Sequence, residues 1–305
     1  MRVWIDTDIG SDVDDALALA YVLNRPEFDL VGVSTVFGDL EVRGAVARRL
    51  LALGGAPAVP VVEGLGVPLT PGKPGRMFGH EGRGLLDPVT PRRRVTEQPD
   101  REDRVEALAA ALQAAAPDVL LAIGPLTNLA ALARAGVDLP PLAVMGGRFT
   151  ADVLSGMPDG LAEWNWFCDP EAVRTVLAAR HSRPPLVVPA DVTFRTAFET
   201  GDLDVLAAAG ALGATLSRLC HHWLEAQRDT LRHEFPRVYL HDPLTAAVLV
   251  EPSLCRFDDL AIRTDPTGAA TVGGPDTSVV RAAVDVDPEA VRAHLLASLT
   301  GAGTV

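Results

Sequence analysis

The sequence predicts an α/β fold: an open, Rossmann-like, mostly parallel sheet flanked by helices, with strands added at one edge near the C-terminus. Three observations carry that reading. Short apolar runs alternate with longer helical segments along most of the 305 residues. Hydrophobic residues make up 48% of the chain but aromatic ones only 5%, so Ala, Leu and Val dominate, as suits helices packed on a buried sheet. Glycine-containing polar turns follow several apolar runs, where open α/β sheets bind ligands.

A first strand is expected at Arg2–Asp6, around Val3-Trp4-Ile5, and a helix at Asp15–Leu23, opened by acids and continued by Ala16-Leu17-Ala18-Leu19-Ala20. Leu30–Val36 reads as the second strand, Val42–Leu53 as the next helix and Val59–Glu63 as a third strand. Gly64–Arg94 breaks the alternation with many Gly, Pro and Arg; a loop this long is a lid or a surface excursion, and composition favours neither. The alternation resumes with helix Arg104–Ala115, strand Val119–Ile123, helix Asn128–Ala135, strand Leu142–Met145, helix Pro170–Ala179 and strand Leu186–Pro189. Helices follow at Leu212–Arg228, Asp242–Val250 and Pro288–Ser298. Leu260–Arg263 and Val279–Val286, beside Gly- and Pro-rich turns, read as antiparallel edge strands. With no internal repeat, residues 1–305 read as one domain.

The charge balance of 27 basic against 40 acidic residues gives −13, which argues against nucleic acid or an anionic membrane as a main partner. No apolar run reaches membrane-spanning length, and no secretory leader pattern opens the chain. Cys168, Cys220 and Cys255 are widely spaced, without metal-ligand spacing, and fit a reducing cytoplasm.

The segment Asp6-Thr7-Asp8-Ile9-Gly10-Ser11-Asp12-Val13-Asp14-Asp15 places five carboxylates where a strand gives way to a helix. Helix capping accounts for one or two of them, not five. So many like charges call for a neutralising cation, and all-oxygen ligands select a hard one, Ca²⁺ or Mg²⁺. A calcium loop of the EF-hand type is rejected: its twelfth position would be Leu17, and a strand precedes it.

Other polar groups follow the expected strands: Gly38-Asp39, Gly124-Pro125-Leu126-Thr127-Asn128 and Gly146-Gly147-Arg148. Each alone is a turn or cap; in a parallel sheet they share one edge and describe one site. His241-Asp242-Pro243 offers a general acid and a carboxylate, or simply a helix start. Glu163-Trp164-Asn165-Trp166, if extended, sets Glu and Asn on one face. His221 and His222 are adjacent, do not share a helix face, and fit a solvated or lid-facing helix.

Six motifs occur in an order that resembles the nucleoside hydrolases, the inosine-uridine-preferring nucleoside N-ribohydrolases. They are Asp6-Thr7-Asp8-Ile9-Gly10 with Asp14-Asp15-Ala16, the Gly124–Ala130 run, Met145-Gly146-Gly147, Glu163-Trp164-Asn165, Asp169-Pro170-Glu171-Ala172 and His241-Asp242-Pro243. The resemblance implies the fold of that family and Ca²⁺-dependent hydrolysis of ribonucleosides to nucleobase and ribose. It implies one Ca²⁺ per chain on Asp8, Asp15, Asp242 and the Thr127 carbonyl. Asp8 would also deprotonate the attacking water. Asp14, Asn165 and Glu163 would bind the ribose, His241 would be the general acid, and His80 would lie beside the nucleobase on a mobile loop. It further implies a cytoplasmic homodimer or homotetramer. Two positions depart from the family pattern: Asp39, often Asn, and Met157, usually an Asn near the ribose 5′-oxygen. Two residues are also added before Asp14, which leaves the role of Asp12 open.

The chemistry suits these residue types. Breaking an N-glycosidic bond develops positive charge on the sugar, which carboxylates stabilise, and the leaving base needs a proton or donor. Two other readings stand beside it. A haloacid-dehalogenase-like phosphatase also has Asp-x-Asp after its first strand, though Gly-Thr is expected where Ile9-Gly10 stands. A Ca²⁺-stabilised nucleoside-binding protein without turnover would not need Asp8 and His241.

Overall fold

The computed structural model describes residues 1–86, 90–150, 162–231 and 236–301. β1 (Arg2–Thr7), α1 (Asp14–Asn24), β2 (Asp29–Thr35), α2 (Leu40–Leu53) and β3 (Val61–Glu63) form the first strand–helix alternation. β4 (Gly75–Arg76) and β5 (Arg94–Val95) then pair as a small ribbon within the long loop. α3 (Arg101–Ala115), β6 (Val119–Ala122), α4 (Thr127–Arg134), β7 (Leu142–Met145), α5 (Trp164–Cys168), α6 (Pro170–Ala178) and β8 (Leu186–Val188) continue the alternation. Next come α7 (Ala190–Thr193), β9 (Ala197–Phe198), α8 (Thr200–Ala207), α9 (Gly210–Asp229), β10 (Val238–Tyr239) and α10 (His241–Ala247). The last elements are β11 (Cys255–Thr264), β12 (Ala270–Val272), β13 (Ser278–Val286) and α11 (Pro288–Thr300).

The main sheet has the order β12-β11-β13-β8-β7-β6-β1-β2-β3. From β3 to β13 every pairing is parallel; β11 pairs antiparallel with β13, and β12 with β11, at the far edge. The expected parallel core and C-terminal edge strands are therefore present. Successive side chains of β1 point to opposite faces. Val3 and Ile5 join a core with α1, α2, α10 and α11, while Trp4 joins another with α3, α4 and α6. The Trp4 ring is accommodated by Gly32 on β2, where a Cβ would lie 2.1 Å from it. The β1–β2 register slips by one residue between Val3 and Trp4, which brings Gly32 opposite Trp4.

Three expectations need correction. Glu163–Trp166 is not extended: Glu163 caps α5, accepting from the Asn165 and Trp166 amides. Neither Thr127 nor Asn128 caps α4. The Thr127 hydroxyl donates to Asp169 and the Asn128 amide to Asp6, each at 2.7 Å. The described part of the 64–94 loop is also anchored at several points. Asp169 accepts from the Leu69 and Thr70 amides, and Glu81 from those of Phe78 and Gly79.

Candidate active site

β1 lies where the strand order reverses, with β2 and β3 on one side and β6, β7 and β8 on the other. A crevice opens outside the carboxyl ends at such a point. There a cavity of about 400 Å³ is lined by Asp8, Ser11, Asp12, Asp14 and Asp15 of the acidic segment, and by His241 and Asp242 of α10. Ile123, Met145, Glu163 and Asn165 add to its wall, and Phe78, Trp164, Phe194, Trp223 and Leu231 make it aromatic and apolar elsewhere.

The acidic segment folds over a buried arginine. Arg43 of α2 is 1% exposed and donates to the Ile9 and Phe37 carbonyls and the Ser11 hydroxyl, with its guanidinium 3.8 Å from Asp8 Oδ2. Phe37 holds a left-handed backbone, φ 64°, as the chain leaves β2 toward this contact. On the other side, Gly124 admits Asp8 closely: a Cβ there would stand 2.8 Å from the Asp8 amide nitrogen.

Asp14, Asp15 and Asp242 each offer an oxygen within 4.8 Å of one another. Burial raises the pKa of all three, and neighbouring carboxylates raise them further. Asp12 is pushed to about 8, first by burial. Asp8 is also raised by burial, although Arg43 pulls it back. An all-oxygen, buried, mutually repelling donor set fits a hard divalent cation. Asp15 and Asp242, which the resemblance pairs as cation ligands, come together, and Asp14 joins them. Asp8 stands outside that trio, though its charge acts on each member. Thr127 is buried at the start of α4 and is not among the residues lining the cavity.

Glu163 and Asn165 both reach the cavity. The Glu163 carboxylate also accepts from the Gly147 amide at 3.0 Å, and burial pushes its pKa to about 7. Asn165 donates to the Ile123 and Met145 carbonyls, both at 3.3 Å, tying the ends of β6 and β7 to the site. Desolvation by the surrounding protein pushes the His241 pKa down to about 3 and leaves the ring neutral at pH 7. Its Nδ1 lies 2.6 Å from the Thr193 hydroxyl. His80 Nε2 contacts the Ser11 carbonyl at 2.8 Å, next to the cavity, and its ring lies against Phe78 and Trp223.

Asp39 is placed elsewhere. It accepts from the Arg92 amide at 2.8 Å and pairs with its guanidinium at 3.0 Å, and it does not line the cavity. Met157 lies outside the described residues. His221 is exposed and His222 packs over Gly84, while the next residue, Trp223, faces the cavity. Sequence reasoning missed Arg43, Trp223, Phe194 and Thr193. For Arg43 a signal existed: it shares a helix face with Val46, Ala47 and Leu50, so a charge lies on an apolar stripe.

The model of the family described as inosine-uridine preferring nucleoside hydrolase matches residues 3–293. The chain belongs to this family. It is accordingly a hydrolase of nucleoside N-glycosidic bonds, and the phosphatase reading is set aside. The chain is 28% identical to the probable uridine nucleosidase 1 of Oryza sativa subsp. japonica over 280 residues, 88% of this chain and 83% of that one. It is 30% identical to the non-specific ribonucleoside hydrolase RihC of Escherichia fergusonii over 281 residues, 90% and 86% of the two chains. Among solved structures, the plant nucleoside hydrolase PpNRh1 superposes with a TM-score of 0.79 at 27% identity, covering 98% of each chain. Among the described residues, no helix is long and apolar enough to cross a membrane.

Proposed function

We propose that this chain hydrolyses ribonucleosides to nucleobase and ribose with one resident Ca²⁺ per chain. One observation carries the reading: the buried carboxylates after β1 and the His241-Asp242 pair of α10 line a single cavity with Glu163 and Asn165. Asp15 and Asp242 would hold the cation, together with Asp8 or Asp14 and the Thr127 carbonyl. When bound, the cation supplies Lewis-acid polarisation and a hold on the ribose diol.

The remaining steps belong to side chains. Asp14, Glu163 and Asn165 orient the ribose through its hydroxyls. The surrounding carboxylates stabilise the oxocarbenium-like sugar as the C–N bond lengthens. Asp8 accepts a proton from the attacking water. The base leaves on the aromatic side of the cavity, where Phe78, Trp164 and Trp223 offer flat apolar faces, with His80 beside them. His241 stands on the same cavity and donates to the departing base. Three buried, unpaired cysteines suit a cytoplasmic setting, and the reading includes a homodimer or homotetramer.

The test is a panel of purine and pyrimidine ribonucleosides assayed for free base, beside a generic phosphatase substrate. Base release without phosphate release is expected. Tight nucleoside binding without release would favour the non-catalytic binding protein.

A further inference from the structure

The geometry points to Thr193 as the positioning residue that decides which nitrogen of His241 carries the proton, and hence which atom His241 offers the leaving base. The inference rests on the proposed role of His241. Thr193 ends α7 and is fully buried. Its backbone is held on both sides: its amide bonds Pro189, and its carbonyl accepts from the amide and hydroxyl of Thr196. The hydroxyl has one partner among the described residues, His241 Nδ1 at 2.6 Å.

A hydroxyl has one proton to give, and in a buried site an ungiven proton is costly. If Nδ1 carried hydrogen, Thr193 could only accept, and its own proton would have no acceptor among these residues. Thr193 therefore donates to Nδ1, which leaves Nε2 as the ring nitrogen that carries a proton toward the cavity. Nε2 has no hydrogen-bond partner among the described residues, and His241 lines the cavity. The ring plane is fixed by Phe194 and Tyr239, whose centroids lie 4.7 and 5.4 Å from that of His241. His241 thus arrives with an N–H ready for the base, and the opposite tautomer would present a lone pair instead.

The experiment compares wild type with Thr193→Val, close in shape but without the hydroxyl, and Thr193→Ser, which keeps it. Each is assayed on inosine and on p-nitrophenyl riboside, whose leaving group needs no proton. The ¹⁵N shifts of His241 in wild type and Thr193→Val report the tautomer directly. Thr193→Val should lose roughly tenfold in kcat on inosine, the scale of one hydrogen bond. KM and turnover of the activated substrate should hold, Thr193→Ser should match wild type, and wild-type His241 should be protonated at Nε2. Equal losses on both substrates, a Ser variant as poor as the Val variant, or a wild-type proton on Nδ1 would each overturn the assignment. Absence of base release by the wild type would instead overturn the proposed function, while the ¹⁵N measurement still decides the tautomer.

Discussion

Arg43 shows how one buried charge shapes the site. Its guanidinium spans the Ile9 and Phe37 carbonyls and faces Asp8, so the acidic turn is built on it. Replacing it with Met would leave two buried carbonyls short of donors and Asp8 without its countercharge. Arg43→Met should cost about 3 kcal/mol in urea unfolding, the scale for breaking a buried charged contact. A change within about 0.5 kcal/mol, typical of surface sites, would contradict this role. A second residue-scale prediction concerns the sugar. If Asp14 and the cation both engage the ribose diol, 2′-deoxyinosine should fall behind inosine in kcat/KM by up to about 10⁴, since sites built for a hydroxyl reject analogues lacking it. Comparable kcat/KM values would remove the diol from the account. Asp8, Asp14 and Asp15 were legible because carboxylates cluster where a strand gives way to a helix, whereas Glu163, Asn165, His241 and Asp242 drew their expected roles from the ordered motifs of the resemblance. Arg43 left only the faint signal of a charge on an apolar helix stripe, and Thr193, four residues after Pro189, looks ordinary until tertiary contacts bury it.

Short elements escaped the sequence for a different reason. α5 spans five residues, too few for a helical period, and its alternating Glu-Trp-Asn-Trp mimics a strand. The capping carboxylate of Glu163 decided the matter by accepting backbone amides. The two-residue strands β4, β5, β9 and β10 carry no pattern at all. The long loop is nonetheless tied down, and Asp39 is one of its anchors through Arg92. Burial alone would raise the Asp39 pKa, but the hydrogen bonds and charge of Arg92 outweigh it and hold it below the ordinary value. A carboxylate lowered on folding stabilises the fold above its unfolded pKa, near 4, and that contribution fades as pH falls through the lower folded value. Asp39→Asn should thus cost about 1 kcal/mol or less at pH 7, because Arg92 is 63% exposed. The difference from wild type should shrink as the pH falls below the ordinary carboxylate value and the lowered Asp39 takes up its proton. Chemical denaturation of both proteins from pH 7 to pH 2 measures it; a constant difference across that range would exclude the ion pair as the cause.

At the level of the whole molecule, strand–helix alternation fixed the architecture, and one rule of parallel sheets gathered the site. The motifs after β1, β6 and β7 meet at the same edge, and α10 brings His241 and Asp242 to it. What alternation could not supply is strand order. The reversal at β1 emerges only when β6 docks beside it, which long-range packing decides. That reversal places Asp8, Asp12, Asp14, Asp15, Glu163 and Asp242 around one crevice, and the central claim is that a divalent cation makes the arrangement both stable and active. The direct measurement is the initial rate of base release from inosine and uridine before chelation, after removal of bound metal, and after adding Ca²⁺. The rate should collapse in the stripped protein and return with about one equivalent of Ca²⁺ per chain. An undiminished rate in protein shown to hold far less than one metal per chain would contradict the account.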